Sequence, residues 1–124
     1  MKKCFCGNEK PFSVCCAPIM NGTLKADSAE KLMRSRYSAY VTHKIDYIIE
    51  TTHVSEKVNL IRKEIENWAK ANSWQQLEIL YSDEFTVEFK AHYKDRKGKS
   101  QMHHERSNFI CEENRWYYLN GLFP

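Results

Sequence analysis

Phe85-Thr86-Val87-Glu88-Phe89-Lys90-Ala91-His92-Tyr93 alternates apolar and polar residues along its whole length, the period of a strand with one face in a core and the other in water. Phe85, Val87, Phe89, Ala91 and Tyr93 are expected to point inward, and Thr86, Glu88, Lys90 and His92 outward. Upstream, Leu77, Ile79 and Tyr81 alternate in the same way, and Ser82-Asp83-Glu84 reverses the chain. Downstream, Lys94-Asp95-Arg96-Lys97-Gly98-Lys99 reads as a solvated hairpin tip. Met102 to Cys111 then reads as a third strand, Glu113-Asn114 as a turn and Trp116 to Leu119 as a fourth strand.

Ahead of Trp74 the period is that of helices. Asp27 with Glu30 has the spacing of a capping box. The helix it opens carries Ala29, Leu32, Met33, Tyr37, Tyr40 and Val41 on one face. A short second helix follows from Ile45 to Thr51. Ser55 opens a third, with Val58, Ile61, Ile65 and Trp68 as its buried stripe and Asn72 near its end. Helices first and antiparallel strands after predict an α+β domain with the helices on one face of a four-stranded sheet.

At about 100° per residue, Arg36 falls inside the apolar arc of the first long helix. If Phe109 and Cys111 point into the core, alternation sends Glu105 and Ser107 to the same side. An unpaired buried charge is costly on either side, so Arg36 and Glu105 are expected to meet. Tyr37, Tyr40, Trp68 and Trp116 or Tyr118 would wall the space around them. Two readings remain open: a structural ion pair that fixes helix to sheet, and the polar floor of a ligand pocket. His104, beside Glu105, is a candidate acid or base at the pocket rim. Adjacent His103 and His104 face opposite ways on a strand and do not suit one metal ion. His43 and His53 read as helix-end or surface residues.

Four of the five cysteines, Cys4, Cys6, Cys15 and Cys16, lie in the first sixteen residues. Two thiol pairs joined by the turn-forming Gly7-Asn8-Glu9-Lys10-Pro11 can converge on a tetrahedral ion, with zinc the expected structural occupant. The competing reading is a set of free or redox-active thiols. The segment from Ala17 to Lys25, with Pro18 and Asn21-Gly22, reads as a linker. That divides the chain into a metal knuckle over 1–22 and an α+β domain over 23–124. Lone Cys111 reads as a buried small hydrophobe.

The chain has 124 residues, 42% hydrophobic and 28% charged, enough for one core and too apolar for a disordered segment. No apolar run is long enough to span a bilayer. The start shows a basic pair with no apolar stretch behind it, so no secretory signal and a reducing, cytoplasmic compartment are expected. A net charge of +3 is too mild to argue for nucleic-acid binding. There is no phosphate-binding glycine loop, nucleophile elbow or His-Glu-x-x-His motif.

Cys4-Phe5-Cys6-Gly7, followed after six residues by Val14-Cys15-Cys16, resembles the SEC-C zinc motif, also found at the C-terminus of the export ATPase SecA. Leu32 to Tyr40, His104-Glu105-Arg106-Ser107-Asn108-Phe109 and Trp116-Tyr117-Tyr118-Leu119-Asn120-Gly121 are similar to the bacterial YchJ family, which joins a SEC-C motif to a domain of the nuclear-transport-factor-two-like (NTF2-like, cystatin-like) fold. The resemblance covers nearly the whole chain. It implies a cone of helices on a bent sheet with a cavity between, and zinc ligation by Cys4, Cys6, Cys15 and Cys16. Phe5, Asn8 and Glu9 stand where the motif usually has Pro, Ser and a second Gly, which alters the loop surface but keeps the thiols. No second SEC-C motif follows within these residues, and the resemblance brings no catalytic residues.

Two functions follow as expectations. The first, preferred on sequence, is a non-enzymatic adaptor whose basic knuckle (Lys2, Lys3 and Lys10) docks on an acidic protein surface or on ribosomal RNA. The resemblance points the same way, since the SecA motif is associated with the export chaperone SecB. The second is a small-molecule carrier or enzyme that uses the pocket, with Arg36 anchoring an anionic ligand.

Overall fold

A computed structural model describes residues 2–124. After the knuckle and a 3-10 turn (Phe12–Val14) come helices α1 (Cys16–Met20), α2 (Ala29–Thr42), α3 (Ile45–Glu50), α4 (Val54–Lys57) and α5 (Arg62–Ala71). Strands β1 (Ser73–Ser82), β2 (Thr86–Lys94), β3 (Ser100–Glu112) and β4 (Arg115–Leu122) follow. The strands form one antiparallel sheet in the order β1-β2-β3-β4, and α2 packs against β1, β2 and β4. The α+β arrangement expected from the sequence is the one observed. Among the described residues no helix is long and apolar enough to cross a membrane.

The turns have local causes. Glu113 and Asn114 both take positive φ (50° and 66°), the geometry that lets a two-residue turn follow the twist of β3 and β4. At the basic hairpin tip, Asp95 Oδ1 accepts from the backbone N–H of Lys97 and Lys99, and Gly98 supplies the positive φ. α2 starts one residue later than the Asp27–Glu30 pairing predicts. Ser28 is the cap, its Oγ accepting from Lys31 N at 3.1 Å, while Glu30 turns along the helix to Arg34 at 3.0 Å.

Several expectations need correction. The stretch read as a linker from Ala17 begins inside α1, whose Ile19 is buried. The long third helix from Ser55 is broken into α4 and α5 by an extended Ile61. Val58 (85% exposed) and Ile61 (55% exposed) stand in solvent. Their helical spacing therefore does not mark a core stripe. A register shift between Ile79 and Tyr81 moves Tyr81 off the inner face, and its ring lies beneath Arg106 instead. Phe85 precedes β2 and is exposed, its ring 5.7 Å from that of Trp116. Cys111 is exposed as well. It sits beside the β3–β4 turn, paired with Trp116 and beyond the reach of the helices that cover Phe109.

The core has two parts. The larger joins the four N-terminal cysteines to Leu32, Met33 and Tyr37 of α2 and to Val87, Phe89 and Phe109 of the sheet. The smaller packs Ala39, Ile45, Ile48 and Ala69 between helices. The knuckle is thus continuous with the interior.

Candidate functional site

The knuckle forms around a tight reversal. Gly7, at φ 91°, lets its N–H reach Cys4 O at 3.0 Å, and Cys4 N donates to Lys10 O at 2.8 Å. This brings Cys4 and Cys6 to face Cys15 and Cys16 at the start of α1. All four side chains are buried, and their sulfurs lie within 4.8 Å of one another. The Cys6–Cys15 pair is 3.8 Å apart, the separation expected for two sulfurs each about 2.3 Å from one tetrahedral ion.

The four thiols also perturb one another's ionisation. A hydrogen bond from Cys16 draws the Cys6 thiol down to about 4 against the effect of burial. Giving that bond, together with burial, pushes Cys16 well up. Burial and the neighbouring sulfur charge push Cys15 up. Four thiolates cannot share this space without a cation, so the donor set suits one. α2 buttresses the knuckle at three positions on one face: Lys31 Nζ lies 3.5 Å from Cys15 Sγ, Arg34 Nη1 donates to Cys6 O at 2.7 Å, and Ser38 Oγ lies 3.7 Å from Cys4 Sγ. Such supporting contacts orient ligands and offset their charge.

The opposite side of α2 faces a cavity of about 180 Å³ between helices and sheet. Arg36, Tyr37 and Tyr40 enter it from α2, Glu105 and Ser107 from β3 and Tyr118 from β4. Its walls are aromatic: Trp68 and Trp74 stand edge to face at 5.7 Å, and Tyr40 is tilted against Trp74 at 5.8 Å. Phe89 and Phe109 complete them from the sheet.

Arg36 and Glu105 are both buried, yet they form no direct ion pair. Arg36 Nη1 donates to Ile48 O (2.8 Å) and Thr51 Oγ1 (2.7 Å), closing the C-terminal end of α3. Its guanidinium lies 4.7 Å from the centroid of the Tyr118 ring. Tyr118 in turn donates its hydroxyl to Glu105 Oε2 at 2.6 Å. Tyr118 therefore stands between the two charges, cation against its face and anion at its hydroxyl. A shared apolar arc located both residues but could not reveal that aromatic insertion.

Glu105 is satisfied on both oxygens. Ser107 Oγ donates to Oε2 at 2.8 Å, and His103 Nε2 lies 2.9 Å from Oε1. Burial alone would push this carboxyl up, but the hydrogen bonds from His103, Tyr118 and Ser107 hold it below the ordinary carboxylate range. Burial and the Glu105 charge push the Tyr118 phenol well up, so it remains a donor. A Cβ on Gly121 would lie 2.8 Å from Glu105 Cδ and 2.9 Å from Cγ, so β4 needs glycine there to leave the carboxylate room.

Two residues expected at the pocket lie elsewhere. His104 is on the outer face of the sheet, 2.7 Å from Glu88, so it cannot serve as a rim acid or base. Trp116 lines a separate groove beside α1 and α3. The histidine at the cavity is His103, overlooked in the sequence although it shares the inward period of Glu105, Ser107 and Phe109. Thr51 and Gly121 were overlooked too. Their importance is set by tertiary contacts that no periodicity reports.

Comparison with known proteins agrees with this architecture. The family described as YchJ, middle NTF2-like domain, matches residues 28–121. A UPF0225 protein of Geobacter sulfurreducens is 39% identical, over 95% of this chain and 77% of its own length. The solution structure of a SEC-C motif containing protein from Rhodopseudomonas palustris superposes with a TM-score of 0.91 at 35% identity, over 99% of both chains. The crystal structure of another from Psychrobacter arcticus gives 0.76 at 35% identity, over 93% of this chain and 73% of that one. Four clustered cysteines and a helix-covered antiparallel sheet occur here in a chain matched by that family along most of its length, and the chain belongs to the YchJ-like UPF0225 family.

Proposed function

We propose that this protein binds a small molecule in the cavity between α2 and the sheet, and that its N-terminal knuckle holds a structural zinc ion. The observation that carries the reading is the polar floor: buried Arg36 and Glu105 with partly buried Tyr118 between them, beneath aromatic walls and beside open space. Purely structural contacts would be expected to close around these groups. The zinc reading is supported by four buried sulfurs at tetrahedral spacing with thiol-rich, soft donor character. Zinc there stabilises the fold and leaves no coordination position for chemistry.

The test is native mass spectrometry with elemental analysis, followed by a thermal-shift screen against a broad metabolite set. One zinc per chain and a ligand-dependent rise in melting temperature are expected. No zinc with freely titrating thiols would overturn the metal assignment, and no stabilising compound would overturn the carrier assignment.

The adaptor reading keeps one supporting observation. Phe5 is exposed against the Phe12 ring, at 5.1 Å, among the exposed Lys2, Lys3 and Lys10. Lys3 is paired with Glu9 at 3.2 Å, which weakens the patch. An acidic protein surface is the partner such a patch would take. Lys2→Glu with Lys10→Glu should then remove captured partners while zinc content holds. An unchanged set of partners, or capture of ribosomal RNA alone, would refute it.

A further inference from the structure

We infer that the cavity takes a single-ring aromatic carboxylate, its ring against the aromatic wall that Trp68 and Trp74 form together and its two oxygens on the free edge of Arg36. This deepens the carrier reading and rests on it. The size of the space comes first: about 180 Å³ suits one ring with a short substituent, since a cavity of about 150 Å³ accepts benzene.

The polar floor then selects the substituent. Glu105, the acceptor of the floor, already receives hydrogen bonds on both oxygens. Arg36 is different. Only its Nη1 has partners among the described residues. The residue is 8% exposed, and among the described residues no fully enclosed side-chain nitrogen or oxygen lacks a partner. Nε and Nη2 of this cavity-lining side chain therefore keep some contact with open space. These two nitrogens form the side-on edge of the guanidinium, whose parallel N–H bonds match the two oxygens of one carboxylate. Contacts of Nη1 with α3 and of the guanidinium face with Tyr118 fix the plane of that edge, so little ordering is left for binding to accomplish. Engagement of Glu105 by three donors disperses its charge and limits its repulsion of an incoming anion. What the floor lacks is an acceptor with two oxygens, and what the aromatic lining favours beside it is a ring.

Benzoate, benzyl alcohol and acetate, titrated separately into the isotope-labelled zinc-loaded protein, test this by NMR. Benzoate is expected to shift the indole N–H signals of Trp68 and Trp74 and the Nε–H of Arg36. Benzyl alcohol, with the ring but not the carboxylate, should bind at least about tenfold more weakly, as should acetate. Arg36→Lys keeps the charge without the fork and should cost benzoate at least about tenfold. If that variant fails to fold, the benzoate and benzyl alcohol comparison in the unaltered protein decides. Equal binding of the two would overturn the carboxylate inference and leave the carrier reading standing. Equal binding of acetate would overturn the ring. No shift at the cavity with any probe at about 10 mM, a concentration that would detect even millimolar affinity, would overturn this inference; the metabolite screen then decides the carrier reading separately.

Discussion

Gly121→Ala isolates the tightest contact in the site. An added methyl would come within 2.8 Å of Glu105 Cδ and closer still to Oε2. Surface carboxylates swing away from such intrusions, but this one is held by Ser107, Tyr118 and His103 and is buried. The variant must either strain β4 away from β3 or push the carboxylate off its Tyr118 and Ser107 donors. Overpacking of a filled site costs about 1–3 kcal/mol, and a hydrogen bond to a charged group contributes about 1.5–3 kcal/mol. Relaxation shares the two, so the expected loss is about 2–3 kcal/mol. For a domain of this size that lowers the melting temperature by about 8–12 °C. The assay is urea and thermal unfolding of the zinc-loaded protein, with a double-mutant cycle against Glu105→Ala. Without the carboxylate the added methyl should cost under about 0.5 kcal/mol, a coupling well outside additive behaviour. A single variant within about 0.5 kcal/mol of the parent, or an equal loss in both backgrounds, would refute the argument that glycine is there for Glu105.

Other expectations follow from the same geometry. Cys6→Ser removes a fully buried thiol of the proposed metal site, so bound zinc should vanish and stability fall by more than about 4 kcal/mol; unaltered metal stoichiometry would contradict the site. Because the Glu105 carboxyl is held low in the fold, its stabilising contribution is present above the unfolded value near 4.5 and is lost as pH falls through the depressed folded one. Unfolding followed on either side of that pH should therefore show a steeper acid loss in the parent than in Glu105→Gln, and parallel curves would count against the hydrogen-bonded carboxylate. Phe109→Ala should cost about 3–5 kcal/mol, whereas Val58→Asp, at a position 85% exposed, should stay within about 0.5 kcal/mol. Equal losses at the two, measured by chemical denaturation, would mean that the break between α4 and α5 is wrong.

The sheet was legible because its alternation is enforced on one face. Val87, Phe89 and Ala91 are buried while their neighbours are less so, and the same register carries Glu105, Ser107 and Phe109 inward. The cysteines were legible because their spacing is itself the constraint. Other features were hidden for physical reasons. Val58 and Ile61 imitate a core stripe, but Val58 caps the end of α4 and Ile61 is extended ahead of α5, so neither stands on a helix face laid against the core. Cys111 continues the inward parity of Phe109 beyond the ground the helices cover. Parity gives the face, and coverage decides burial. His104 was selected for standing next to Glu105 in sequence, when on a strand the neighbour in space is two residues away, at His103.

The two candidate sites meet in α2. Lys31, Arg34 and Ser38 repeat at three- and four-residue spacing along the side that touches the cysteines. Met33, Arg36, Tyr37 and Tyr40 repeat in the same way along the side that lines the cavity. Tyr37 belongs to both environments: it lines the cavity, and burial together with charge on Cys6 pushes its phenol up to about 12. Without an ion there, mutually repelling thiolates or protonated thiols would sit inside the larger core, with Leu32, Met33 and Tyr37 packed on them. A helix cannot release one of its faces and hold the other in place, since the side chains on both move with one backbone. The position of the Arg36 fork relative to Tyr118 and Glu105 therefore depends on the knuckle, although none of the four cysteines touches the cavity. On this reasoning a metal held by the four cysteines would be structural in a specific sense: it would fix the helix that carries the Arg36 edge proposed to bind an anion.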